Sequence, residues 1–247
     1  SISIPNGATA TLTDGVIKTT TTNLLTFEAG SFVSGGSINS YIDGPISKIG
    51  NTSFTFPIGN NGFYNPLGIS APSLLTDEFT AQYTRATPSN RSSLDASIDH
   101  VSSLDVWDLQ RVNGTSSLFV TLYWNSSDHG VTTLADLAVA HYDGGTSEWE
   151  NMGGLAAGGV SAGSILSTAP FSTFSPITLA SKNGINPLPI KLFSFTASKS
   201  HNNVEIEWIT SSEINNDYFT IERSNNGSEW EAINKIKGAG NSNTTLK

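Results

Sequence analysis

Four histidines, His100, His129, His141 and His201, are the side chains best suited to acid-base work or metal ligation, and they are scattered along the chain. None has a second histidine at the spacing by which one helix offers two ligands to a metal. His201 therefore reads as a solvated turn residue, and His141, between Ala140 and Tyr142, as a packed or edge position on a strand. The carboxylates meet a sharper test, because glycoside hydrolysis needs two of them flanking a sugar. Asp95, Asp99, Asp105 and Asp108 cluster in sequence, yet strand alternation puts Asp105 and Asp108 on opposite faces of one strand. All four are expected to be solvated acids on an acidic surface. Asp128, Asp136 and Asp143 fall in or beside loops and could offer oxygens to calcium, although no D-x-D-x-D-G run is present. No catalytic residue, cofactor or dedicated metal ligand is expected, with calcium the one ion these loops could take.

Serine is plentiful but no nucleophile elbow is expected, and the glycine-rich segment from Gly153 to Gly163 lacks the Lys-Ser or Lys-Thr that closes a phosphate loop, so it reads as a flexible turn or hairpin tip. Of the tryptophans, Trp107, Trp124, Trp149 and Trp208 lie at alternating positions of strand-like runs, where core packing is the ordinary use of a large ring. Trp230, between Glu229 and Glu231 near a turn, is the one expected to be partly exposed and is the candidate glycan contact.

The elements that must position these side chains are strands. Charged residues make up 13% of the chain, too few for long amphipathic helices, while 23 glycines and 10 prolines supply turns. Residues 1–45 carry short apolar runs, Ala8 to Leu12, Val16-Ile17, Leu24 to Phe27 and Phe32-Val33, broken at Asp14-Gly15, Ala29-Gly30 and Gly35-Gly36. Such spacing predicts a β-solenoid end or a meander. The Thr19 to Thr22 run has high strand propensity. Phe54 and Phe56 share one strand face, and Asn61-Gly62 is a turn. Residues 46–182 read as a β-sandwich domain in which Leu118 to Trp124, apolar on both faces, is the central strand. Ala180 to Pro187 is the best linker. After it, Val204, Ile206 and Trp208 alternate with Glu205 and Glu207, and Tyr218 to Arg223 gives a further strand ending at Asn226-Gly227.

A net charge of −9 repels phosphate backbones, which argues against a nucleic-acid partner. Cysteine is absent, so neither disulfides nor thiolate metal sites are available, and this leans toward a bacterial source. No apolar run approaches the roughly 20 residues that span a bilayer as a helix.

The order Leu188-Pro189, Leu192-Phe193-Ser194-Phe195-Thr196-Ala197 and Glu207-Trp208-Ile209-Thr210-Ser211-Ser212-Glu213-Ile214-Asn215-Asn216-Asp217-Tyr218-Phe219 resembles the fibronectin type III-like module of exported Bacteroidetes proteins. In those proteins the module commonly precedes the C-terminal sorting domain of the type IX secretion system. Two further stretches resemble segments of the same surface proteins. One runs from Gly44-Pro45 through Phe54-Thr55-Phe56-Pro57, and the other from Trp107-Asp108-Leu109 through Phe174-Ser175-Pro176.

The resemblance implies an all-β chain of tandem sandwich domains, with a module at 188–247 that the family would continue with further strands. It also implies an adhesin-like, non-enzymatic segment of a longer polypeptide at the bacterial cell surface. Its partners would be the type IX secretion and surface-attachment machinery, with surface glycans or copies of itself as ligands. The alternatives are an accessory, carbohydrate-binding or spacer region of a secreted polysaccharide-active enzyme, and a subunit of an extracellular fibre.

Overall fold

The computed structural model describes residues 1–174, 176–186, 191–200, 203–242 and 246–247, and only the backbone of residues 191–193, 211, 212, 214, 215, 241 and 242. The chain is all-β, apart from two single-turn 3-10 segments at Ser127–His129 and Leu134–Asp136. It divides into two compact units, Ser1–Leu188 and Pro189–Lys247.

The first unit begins as a parallel coil. The strand Ile2–Ile4 pairs in parallel with Leu25–Phe27, which pairs in parallel with Ile46–Ile49. On a second face Thr9–Leu12 runs parallel to Phe32–Gly35, and on a third Ile17–Lys18, Ile42–Asp43 and Ile58–Asn60 stack in parallel. Each of the first two turns of chain takes about 21–25 residues, so the short runs of the sequence are rungs of a solenoid rather than a meander. Glycine is required where rungs touch: at Gly35 φ is +77°, and a Cβ would sit 2.2 Å from the Leu12 carbonyl oxygen of the rung below. The Thr19 to Thr22 run is a turn rather than a strand, because the Thr20 hydroxyl accepts the Asn23 amide at 3.0 Å and holds the chain in a bend.

The third turn opens the coil into a sandwich. Ile46–Ile49 pairs antiparallel with Glu78–Arg85, while Phe54–Phe56 pairs antiparallel with Leu67–Ile69. Ile58–Asn60 folds back on Phe63–Tyr64 across Asn61 (φ +52°) and Gly62 (φ +83°), the left-handed pair that a tight hairpin demands. One sheet thus runs from the coil through Glu78–Arg85, Asp105–Asn113, Pro176–Ser181 and Leu137–Asp143 to Glu148–Asn151. The opposing sheet has Val120–Trp124 as its middle strand, flanked by Leu67–Ile69 and Gly163–Leu166. Val120, Leu122 and Trp124 point inward, whereas Phe119 is 40% exposed, so this strand is buried on one face only.

The boundary expected after residue 45 falls inside this sheet. Leu25, Phe27 and Ile42 of the coil belong to one hydrophobic core with Phe79, Trp107, Leu122 and Trp124 of the sandwich. Phe27, Phe54 and Phe56 form a chain of rings 5.1 and 5.0 Å apart at the junction. Beneath them, buried Lys48 donates from Nζ to the Glu28 carbonyl oxygen at 2.8 Å and to that of Ser31 at 3.3 Å. An ammonium there satisfies turn carbonyls between two rungs, and burial pulls its pKa below the usual lysine range.

The second unit is a three-stranded antiparallel sheet of Lys191–Ser200, Asn203–Arg223 and Glu231–Ser242. The two strands expected at 204–208 and 218–223 are one continuous strand that pairs on Lys191–Ser200 with its first half and on Glu231–Ser242 with its second. Leu188-Pro189, the His201-Asn202 turn and part of the Ala180 to Pro187 linker lie outside the described residues. Ala180 and Ser181 themselves end the strand Pro176–Ser181.

Candidate functional site

Asp105 opens its strand on the same parity as Trp107 and Leu109, and that parity carries it inward. It is fully buried, which corrects the expectation of a solvated acid. Its register partner Arg85 donates from Nη1 to Oδ1 at 3.0 Å, and the Tyr83 hydroxyl donates to the same oxygen at 2.6 Å. On Oδ2, the Ser102 hydroxyl donates at 3.2 Å and His129 Nδ1 lies at 3.0 Å. The carboxylate can only accept, so Nδ1 carries the proton, an assignment made from the network. Arg85 Nη1, 3.2 Å from Nδ1, is then a second donor to the same carboxylate, on Oδ1 where Nδ1 is on Oδ2.

Burial alone would raise the Asp105 pKa. The hydrogen bond and charge of His129, followed by Arg85 and Tyr83, outweigh it and hold the carboxyl below the usual range. The Tyr83 hydroxyl is pushed far up, by burial and by Asp105 beside it.

This cluster has the Asp-His pairing of a catalytic relay, but its surroundings are those of a clamp. Arg85 covers the Phe63 ring at 4.0 Å, its Nη2 donates to the Asp128 carbonyl oxygen, and its amide donates to Asn60 Oδ1. Phe63 packs edge-on against His129 with centroids 6.0 Å apart. The network therefore ties the Ile58–Tyr64 hairpin of the coil to the sandwich. His129 Nε2, where a relay would receive its proton, is buried without a hydrogen-bond partner among the described residues.

Two other acids do the same work. Asp136 accepts from the Asn183, Ile185 and Asn186 amides and from the Ser181 hydroxyl. Asn186 in turn takes the Thr132 and Thr133 amides on its Oδ1. Burial would raise the Asp136 pKa, but those donors bring it below the ordinary value. In the second unit Glu213 accepts from Thr210 Oγ1 at 2.9 Å, Asn216 Nδ2 at 2.8 Å and the Ala239 amide at 2.8 Å. These donors likewise overcome burial and lower its pKa. The Thr210 to Asn216 run that carried the family resemblance is therefore a bulge clamp, fixing a strand where its pairing changes.

The remaining sequence candidates are not brought together. His100 pairs with its neighbour Asp99 at 2.7 Å, and His141 packs against Phe171 at 5.1 Å with its pKa lowered by burial. His201 lies outside the described residues. Asp95 caps its own turn through Ser97. Asp128 is exposed, Asp136 is committed to its loop, and Asp143 accepts the Gly145 amide at 2.6 Å. No group of three His, Asp or Glu side chains able to hold an ion occurs among the described residues.

Contrary to the expectation that the chain has no nucleophile elbow motif, Gly159-Val160-Ser161-Ala162-Gly163 has the G-x-S-x-G spacing of one. It forms the tip of the hairpin between Leu155–Gly158 and Gly163–Leu166. An elbow needs a strand-to-helix turn over a sheet, and Ser161 stands exposed at a strand-to-strand loop instead.

Trp230 is 61% exposed at the second unit's hairpin end, beside a small depression of about 210 Å³ lined with Arg223, Asn225, Asn226, Glu229 and Glu231. Amide, guanidinium and carboxylate groups around an exposed indole can hydrogen-bond a sugar whose ring stacks on the indole face. None of the protein-family models, curated proteins or solved structures compared with the chain matches it.

Proposed function

We propose that this chain is a structural and adhesive segment of a large bacterial surface protein, exported by the type IX secretion system and without catalytic work of its own. The observation that carries the reading is the continuity of one hydrogen-bonded sheet, and of one core, from the parallel coil into the sandwich. Such a body transmits load along its length without a hinge at the junction. The use of Asp105, Asp136 and Glu213 as loop and strand clamps supports it further, since each acid is consumed in holding backbone and side chains together. The exposed indole of Trp230 among amides and carboxylates supports adhesion to surface glycans.

The test is labelling of intact source cells with an antibody to this chain, in the wild type and in a strain lacking the type IX translocon. Surface labelling lost in the mutant is the expected result, while unchanged or intracellular antigen contradicts export by this route. On a glycan array, Trp230→Ala is expected to abolish whatever binding the second unit contributes.

A further inference from the structure

The larger sheet has an outer face that is only partly covered. The segment through Ile98 and Val101 packs with Ala138, Ala140, Trp149 and Ala180 into a second, smaller core on that side. Beside this cover the sheet remains open as a groove of about 470 Å³. Thr84, Val106, Asp108, Tyr142 and Pro176 contribute from four adjacent strands, and the loop 86–90 forms the wall. The volume falls in the range of small-ligand sites, about 300–1,000 Å³.

The wall is held before any ligand arrives. Trp149 Nε1 donates to the Ser89 carbonyl oxygen at 3.1 Å, and Asn90 Nδ2 donates to the Tyr142 hydroxyl at 2.8 Å. The Trp149 amide donates to the Ser93 carbonyl oxygen, whose own amide donates to that of Asn90. Asn90 adopts φ +54°, a left-handed conformation that asparagine tolerates better than most residues. A loop pinned at both the indole and the phenol loses little entropy when a ligand settles against it.

We propose that this groove binds a neutral saccharide of one or two rings, held by the Asp108 carboxylate and the Tyr142 ring. Asp108 is half-buried, and its carboxylate accepts no hydrogen bond from another described residue. A desolvated acceptor without donors favours a ligand rich in hydroxyl donors, and the pKa of the group, raised by burial, agrees with that deficit. Tyr142, Val106 and Pro176 offer apolar surface for the C–H face of a sugar, while Thr84 and Thr87 add hydroxyls at the rim. The chain's net charge of −9 and the Asp108 carboxylate oppose uronates and other acidic sugars. The site is separate from Trp230, lies wholly within the first unit and does not depend on the export reading.

The experiment is a titration of the whole 247-residue chain with cellobiose, maltose, xylobiose, mannobiose, lactose and chitobiose. Trp149 fluorescence and calorimetry provide the readouts. At least one sugar is expected to bind saturably, with dissociation constants in the millimolar range or tighter, about −4 kcal/mol at 1 mM. Asp108→Asn should weaken that binding by about tenfold or more, through loss of a charged acceptor. Thr87→Trp, at an exposed position of the wall, should block it, and Trp230→Ala should leave it unchanged. Failure of all six sugars to saturate, or equal binding by Asp108→Asn and by Thr87→Trp, overturns the proposal. So does a preference for cationic peptides over every neutral sugar.

Discussion

The two units of this chain are both strand-built, and they are held together by different physics. Every buried hydrophobic side chain among the described residues lies between Leu12 and Ala180, including the fully enclosed Trp107, Phe27, Phe56 and Phe79. Among the described side chains of Pro189–Lys247 the buried ones are Thr210, Glu213 and Asn216, while Phe195, Val204, Tyr218, Trp230 and Ile233 are half exposed or more. The first unit thus rests on apolar burial, with buried ions locking its geometry. Among its described residues the second is held by hairpin register, a Trp208–Phe219 ring contact at 5.4 Å and the Glu213 carboxylate clamp. Area buried sets cooperativity, so the first unit should unfold as a block while the second opens locally and early.

Mutations sharpen that contrast, and hydrogen exchange read peptide by peptide separates the units. The largest effect is expected from Trp107→Ala. It empties the centre of the first core and removes the 2.9 Å hydrogen bond from Nε1 to the Asn65 carbonyl oxygen. The cost should be about 3–5 kcal/mol, seen in peptides on both sides of residue 45 and not in those after 190. Equal protection loss confined to residues 46–182 would mean the coil has a core of its own.

Asp105→Ala comes next, at about 3 kcal/mol, because it leaves Arg85 and His129 facing each other in a dry site. The same carboxylate sets an acid limit. Its folded pKa lies below the unfolded value of about 3.9, so its contribution is complete above that pH. It is lost as pH falls through the folded value. Urea midpoints of the first unit should drop below about pH 4, and the drop should be shallower in Asp105→Asn.

Glu213→Gln is smaller, about 1–2 kcal/mol, since an amide keeps one acceptor but not two charged ones. Faster exchange should appear near residues 210–216 and 237–240 with the first unit untouched. Phe195→Ser should move stability by no more than about 0.5 kcal/mol, because the ring is already 58% exposed. A large loss there, measured by the same exchange experiment, would show that the second unit is covered in solution.

Much of the strand layout was legible because period-two runs stop at glycines that the backbone needs, as at Gly35 and Asn61-Gly62. The parallel stacking was not legible beyond a suggestion. Ile2, Leu25 and Ile46 become neighbours without any shared motif, and only their apolar character repeats. The division expected after residue 45 failed for the same reason, since a core shared by Phe27 and Phe54 leaves no mark in the intervening turn. Asp105 was misread because a buried acid and a solvated one are the same letter. The available signal was its parity with Trp107 and Leu109, which already placed it on the inward face. Val204 to Trp208 and Tyr218 to Arg223 read as two strands because the polar run between them breaks the apolar alternation, whereas the backbone continues through it with register shifts at Glu213 and Asn216, whose clamp spans to Ala239. Thr19 to Thr22 shows the converse, local hydroxyl bonding overriding strand propensity.

The central claim is that coil and sandwich bear load as one body, and single-molecule pulling from the two chain termini tests it most directly. The second unit should extend first at low force, followed by one high-force event that releases the whole of Ser1–Leu188, on the order of 60 nm of chain at about 3.3–3.6 Å per residue. Residues 1–45 peeling away in a separate low-force step, before the sandwich yields, would contradict it.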